Sequence, residues 1–224
     1  MNLPPEYSPG LLRRTFSRLR EIQKWEGNHG IFNRILASLG YRCVGWYVHS
    51  LQHPISPVEA RTEFDFTELS GADLERYLLF RRGAREEDIL ARLAAGNRCY
   101  AALCNGEIAS VSWIAEKQGY LEMIGYRFPL ESDEIYMFDS FTAKRYRGKR
   151  LVPALYSRLT EHYRAGGYRT VITLIVPENK SNITSRTRSG FKQTGSVTQL
   201  KLGSFCWYRF HGECRPQVPG LDKQ

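Results

Sequence analysis

The stretch Glu134-Ile-Tyr-Met-Phe-Asp-Ser-Phe-Thr-Ala-Lys-Arg-Tyr-Arg-Gly-Lys-Arg150 decides the reading of this chain. Its first half is β-prone, rich in branched and aromatic residues, with a carboxylate at its head. Its second half is a short loop dense in Arg, Lys and Gly. The loop opens a run at about Leu151–Ala165 whose apolar residues recur at helical spacing. Strand, basic glycine loop and helix N-terminus together make a place to hold a pyrophosphate, because N–H groups at a helix start converge on an anion. Gly148 lets the main chain approach closely, and Arg145, Arg147, Lys149 and Arg150, with Tyr146 among them, surround the anion with charge.

Outward from this stretch the texture is a regular alternation of short elements. Glu63–Leu69 reads as a strand, and Ser70-Gly-Ala-Asp73 carries N-cap chemistry for a helix at Leu74–Phe80. A second helix is expected at Glu86–Ala94, closed at Gly96. Cys99–Leu103 and Ile108–Ile114 flank Asn105-Gly106, a hairpin signal. Tyr120–Phe128 and Glu134–Thr142 follow as strands. Beyond the Leu151–Ala165 helix come a strand at Arg169–Val176, a helix around Ile183–Arg188 and β-rich Ser196–Phe210. This order predicts an α+β fold on one mostly antiparallel central sheet flanked by helices, not a doubly wound parallel sheet.

Residues 1–56 read as an N-terminal helical extension and linker. Leu12, Phe16, Leu19 and Ile22 recur between Arg13, Arg14, Arg18, Arg20 and Lys24 as an amphipathic basic helix, expected to pack on its own domain. Another helix is expected at Ile31–Leu39, then a strand-like run Cys43–Val48 and a linker at His53-Pro-Ile-Ser-Pro57. The main domain then spans 57–212, and 213–224 form a C-terminal tail.

Composition narrows the function classes. The 224 residues include 42% hydrophobic and 25% charged positions, ordinary for a globular chain. The apolar runs are far shorter than a membrane span, and no secretion signal is visible at the N-terminus, so a cytoplasmic protein without a transmembrane segment is expected. Five cysteines without a Cys-x-x-Cys pair suggest neither a disulfide framework nor a metal site. The net charge of +9 is concentrated in two acid-free segments, Ser140–Thr160 and Asn179–Gly212, which points to one anion-binding face.

Arg145-Tyr-Arg-Gly-Lys-Arg150 resembles the acyl-CoA loop of the GNAT N-acetyltransferase superfamily. Asn179-Lys-Ser-Asn-Ile-Thr-Ser-Arg-Thr-Arg-Ser-Gly-Phe191 is similar to that family's Asn…Gly-Phe segment, and the element order from about Val58 to His211 fits its fold. The resemblance implies a GNAT-like N-acetyltransferase in which a primary amine of a small-molecule acceptor attacks the thioester of acetyl-CoA directly. It implies cofactor contacts from Arg145 to Arg150 and from Asn179, and backbone oxyanion donors at Ser140 and Phe141. Two positions depart from the usual loop: Arg150 stands where the family has a small residue, and Pro153 falls within the first turns of the next helix, which therefore begins near Arg150 or Leu151.

For the base that takes the amine proton, the resemblance implies Glu134, with Asp139 as the alternative. Strict alternation sets these two carboxylates on opposite faces of the strand, and only a bulge would join them. The tyrosine that many family members use to protonate the thiolate is replaced by Arg186, which removes that donor; Ser185 and Tyr156 are weaker substitutes. Arg81, Arg82 and Arg127 are candidates for an anionic group on the acceptor. The aromatic cluster Phe205, Trp207, Tyr208 and Phe210 reads as terminal-strand core. Two rival functions stay open: a longer-chain acyltransferase drawing on acyl-CoA or acyl carrier protein, and a non-catalytic basic module for nucleic acid. No nucleic-acid-binding motif supports the latter. A homodimer through the extension is a further candidate partner.

Overall fold

The computed structural model describes residues 36–53 and 57–215, so the expected helix at Leu12–Ile22 and most of that at Ile31–Leu39 lie outside the described residues. The strands are β1 (Tyr41–Ser50), β2 (Asp65–Leu69), β3 (Arg98–Cys104), β4 (Glu107–Ala115), β5 (Gln118–Leu121), β6 (Tyr126–Pro129), β7 (Glu134–Thr142), β8 (Thr170–Ile175), β9 (Lys192–Leu202) and β10 (Phe205–Gly212). The helices are α1 (Leu74–Phe80), α2 (Glu86–Ala94), α3 (Leu151–Ala165) and α4 (Lys180–Arg188). Eight strands form one sheet in the order β10-β9-β1-β8-β7-β4-β3-β2, and β5 and β6 form a separate hairpin. Every pairing is antiparallel except β7 with β8.

Local chemistry explains most of these elements. Ser70 and Asp73 form a reciprocal capping box over a short 3-10 turn leading into α1. Asn105 and Gly106 both adopt positive φ, as a two-residue hairpin with the right twist requires. Pro153 stands in the first turn of α3, where its missing N–H has no helical acceptor to lose.

Three differences from the sequence reading have physical causes. The expected strand Tyr120–Phe128 is broken into β5 and β6 by a 3-10 turn at Glu122–Ile124 and by Gly125 at φ 61°. The run read as part of an extension becomes β1, an interior strand between β8 and β9. Val44 and Trp46 are buried on one of its faces and Tyr47 on the other, so it carries the two-sided apolar pattern of an interior strand. The terminal aromatics split: Phe205 and Trp207 are more than half exposed, whereas Tyr208 and Phe210 pack against the β5–β6 side.

The sheet is covered on both faces. Ile135 and Met137 of β7 face α3, in a core with Leu155, Leu159, Tyr163 and Phe191. Tyr136 and Phe138 face the β5–β6 hairpin with Trp46, Tyr126 and Phe128. Farther along the sheet, α1 and α2 pack through Tyr77 and Ile89 on Val111 and Trp113.

Candidate active site

The parallel pair β7–β8 stays in register only from Glu134↔Thr170 to Tyr136↔Ile172, while β7 runs on to Thr142 and β8 to Ile175. The strands therefore part at their C-terminal ends. An open crevice beyond the carboxyl ends of parallel strands is where sheets of this kind take ligands. The loop Ala143–Arg150 leaves β7 at this mouth and enters α3.

Within the loop, Gly148 has φ 77° and Arg150 has φ 58°. Nothing lies within 4 Å of where a Gly148 side chain would begin, so the backbone there is open to a ligand. Arg150 is the N-cap of α3 and offers no side-chain cap to the first N–H groups of the helix. Its left-handed backbone explains why a glycine suits this position, and an arginine holds it at a strain of about 1 kcal/mol. Arg145 pairs with Glu107 and lies over the Tyr146 ring, and Lys149 Nζ lies 5.3 Å from the centroid of the same ring. Arg147 and Arg150 are exposed.

Between Val111 and Trp113 the ladder to β7 slips, so that Asp139 and Ser140 together oppose Ser112. This bulge is built on Asp139, whose φ is 45°. It turns Asp139 onto the Phe138 face, where its two oxygens accept from Arg81 Nη2 and Arg92 Nη1, each at 2.6 Å. Arg92 also lies over the Trp113 and Phe138 rings. The bulge thus brings Glu134, at the head of the strand, and Asp139, past its middle, to one face about 16 Å apart by strand rise.

Neither carboxylate is free. Glu134, 9% exposed, accepts from Arg215 Nη2 at 2.7 Å and Nη1 at 2.6 Å, and from the Glu131 N–H at 3.0 Å. Asn179 uses its side-chain oxygen to cap α4, accepting from Asn182 N at 3.2 Å. Arg127 stacks on Tyr120 at 4.0 Å, whereas Arg81 pairs with Asp139.

Ser140 points to the other face, toward α3. Its hydroxyl accepts from Arg186 Nη2 at 3.0 Å and lies 2.8 Å from Ser112 Oγ. Ser110 Oγ is 2.8 Å from Thr142 Oγ1 in the same row. Arg186 is 3% exposed and reaches from α4 across the parted strands, flanked by the Tyr156 and Phe191 rings at 5.3 and 5.7 Å. Among the described residues no carboxylate pairs with it, and its Nε–H has no acceptor. Burial pulls its pKa down to about 10, so it stays charged at neutral pH. Tyr156 in turn meets His49 Nδ1 of β1 at 2.5 Å. Burial pushes the Tyr156 pKa up and that of His49 down, so the phenol is protonated and the imidazole neutral near pH 7.

Ser110, Ser112, His49 and Arg92 are absent from the sequence reading. The two serines were visible as small polar residues two apart in the apolar run Ile108–Ile114, which places them on one strand face. His49 and Arg92 left no local signal, since each reaches the site from a distant element.

A family model described as the Acetyltransferase (GNAT) family matches residues 59–191. Among curated protein sequences none matches. The chain is similar in structure to the GCN5-related glucosamine N-acetyltransferase region of a fungal multi-domain GH3 beta-N-acetylglucosaminidase, with TM-score 0.54, 12% identity and coverage of 74% of this chain and 22% of that one. It is similar to a GNAT-family acetyltransferase from Colwellia psychrerythraea, with TM-score 0.50, 12% identity and coverage of 77% and 57%. A Drosophila protein gives TM-score 0.51, 15% identity and coverage of 75% and 56%. The chain spans less than two thirds of the length of each of these structures.

Proposed function

The chain belongs to the acetyltransferase (GNAT) family, and on that premise we propose that it transfers an acetyl group from acetyl-CoA to a primary amine of a small-molecule acceptor. The observation that carries this reading is the parting of β7 from β8 beyond Tyr136↔Ile172, with the open Gly148 loop and the α3 N-terminus at its mouth. A pyrophosphate held at the loop lays the rest of the carrier along the exposed edge of β7. The N–H groups of Ser140, Phe141 or their neighbours then serve the carbonyl oxygen as it becomes an oxyanion.

Proton removal from the attacking amine falls to one of two paired carboxylates. Asp139 is gripped by arginines from two separate elements, whereas among the described residues Glu134 is held by one side chain, Arg215. We assign the base to Glu134, with Arg215 as its resting counter-ion. Asp139 acts as the anchor of the bulge. Asn179 orders the start of α4, and Arg145, Arg147, Lys149 and Arg150 bring charge to the loop.

Isothermal titration with acetyl-CoA, CoA and a long-chain acyl-CoA tests the reading, repeated on Gly148→Glu. Binding of acetyl-CoA that the variant abolishes supports it and justifies an amine screen with thiol release as the readout. Preference for the long chain would move the assignment to a longer-chain acyltransferase. Absence of binding to all three would overturn acyl transfer.

A further inference from the structure

Arg186 is a buried cation without a counter-ion among the described residues. Taking a guanidinium out of water costs several kcal/mol, and here the return is one serine hydroxyl and two aromatic faces. Its Nε–H has no acceptor at all among the described residues. An arrangement of this kind is stable with an anion beside it, and the described residues supply none.

The cavity that Arg186 lines is bounded by Ser110 and Ser112 of β4, Met137 and Ser140 of β7, and Leu155 and Tyr156 of α3. Its volume is about 10 Å³, space for about one water-sized group. A carboxylate-bearing acyl chain does not fit there, whereas a single atom that gains charge during a reaction does. The backbone of β7 already serves the carbonyl oxygen. The other atom of a thioester that acquires a full charge is its sulfur.

We propose that Arg186 holds the departing CoA sulfur as a thiolate in an ion pair, in place of protonating it. This rests on the acyl-transfer reading above. The amine lone pair attacks the thioester carbon, the tetrahedral intermediate collapses, and the C–S bond breaks with its electron pair remaining on sulfur. The proton lost by nitrogen goes to the base on β7. The thiolate leaves paired with Arg186 and takes a proton from water after release. The titratable groups facing this pair are Tyr156 on α3 and, behind it, His49 on β1; β4 and β7 present serines, Val111 and Met137 to the cavity, none of them titratable. With Tyr156 held protonated and His49 neutral, the guanidinium is the charge that sets the thiol's equilibrium.

The test needs no acceptor. The thiol of protein-bound CoA is titrated by thiolate ultraviolet absorbance from about pH 6 to about pH 10, with the complex of desulfo-CoA as the blank. In the wild type and in Arg186→Lys the bound thiol is expected to titrate about one unit below free CoA. In Arg186→Gln it is expected to titrate with free CoA while calorimetry still shows binding. The wild type should also bind CoA about tenfold tighter than desulfo-CoA at pH above the pKa of the free CoA thiol, a ratio that falls to about one in Arg186→Gln. CoA that binds with an unshifted thiol, or a shift that survives in Arg186→Gln, overturns the ion pair and leaves acyl transfer standing. No binding of CoA or desulfo-CoA to the wild type overturns both.

Discussion

Glu134 and Asp139 lie on one face of β7 although an odd number of positions separates them, because Asp139, at φ 45°, inserts an extra residue opposite Ser112. The same insertion turns Ser140 to the opposite face, where it meets Arg186. One bulge therefore divides the strand's polar groups between its two faces. Bulges beside active sites re-aim side chains in this way.

Asp139→Asn tests what holds the bulge. Asparagine tolerates the left-handed backbone about as well as aspartate, so the exchange removes charge and keeps conformation. Two guanidiniums, each about a quarter exposed, lose their anion. Partial exposure softens the penalty of a fully buried pair, and a loss of about 2 kcal/mol is expected. Urea denaturation should show a lowered midpoint at unchanged slope. A stability equal to wild type would mean that the arginines do not anchor the bulge.

Arg215→Ala probes the resting counter-ion of Glu134. Deletion leaves a carboxylate that is 9% exposed with the Glu131 N–H as its remaining partner. Stability should fall by about 2 kcal/mol or more, and Arg215→Ala combined with Glu134→Gln should recover most of it, a coupling read by a double-mutant cycle. If Glu134 is the base, Glu134→Gln lowers kcat by about 100-fold or more once an acceptor is known. A Glu134→Gln enzyme of wild-type kcat would leave Glu134 with the ion pair as its whole role.

Much of this architecture was legible in the sequence, and the exceptions are instructive. Helix α2 was bounded at Glu86–Ala94 by its acidic first turn and by Gly96, both local signals. The hairpin at Asn105-Gly106 and the β7–loop–α3 unit were likewise written in adjacent residues. Cys43–Val48 was legible as a strand but not as an interior one, since pairing with β8 and β9 joins residues far apart in the chain. The bulge was unreadable because nothing in Phe138-Asp139-Ser140 forces a positive φ; two arginines from elsewhere select it. Arg186 was seen as a missing proton donor, but its lack of a counter-ion is a tertiary fact.

The loop predicts opposite behaviour for its two left-handed residues. Gly148→Ala meets open space, so its penalty is backbone strain alone, about 1 kcal/mol. Arg150→Ala keeps the strain already present at φ 58° and should leave stability within about 0.5 kcal/mol. It removes one charge from the anion site, and CoA affinity should drop about fivefold at low salt and less at high salt. Thermal unfolding and calorimetry at two ionic strengths separate the cases. Equal loss of affinity at both would mean that Arg150 contacts the carrier by something other than charge.

His49 gives the fold an acid-sensitive contact. Its pKa is lowered by burial, so between its folded value and the unfolded value of about 6.5 the unfolded chain binds a proton that the folded chain refuses. Stability contributed by this group is intact above about pH 6.5 and falls as pH drops toward the folded pKa. The slope is at most about 1.4 kcal/mol per pH unit for one proton. His49→Gln keeps a polar partner for Tyr156 and should flatten the urea midpoint against pH in this window. An unchanged slope would place the acid sensitivity on other groups.

Arg186→Met should make the protein more stable. Methionine fills similar space between Tyr156 and Phe191 and brings no charge to desolvate, and replacing a buried ion by apolar atoms of like volume gains about 1–4 kcal/mol in comparable cases. Ser140 loses one donor and keeps Ser112 as a partner, so little is left unsatisfied. The urea midpoint should rise while the preference for CoA over desulfo-CoA disappears. Such a pair of results would mark Arg186 as a residue kept at the expense of stability for the sake of an anion. A fall in stability would instead show that the Ser140 bond and the two ring faces outweigh the burial of the charge, and that the guanidinium holds β7 to α4 as part of the fold.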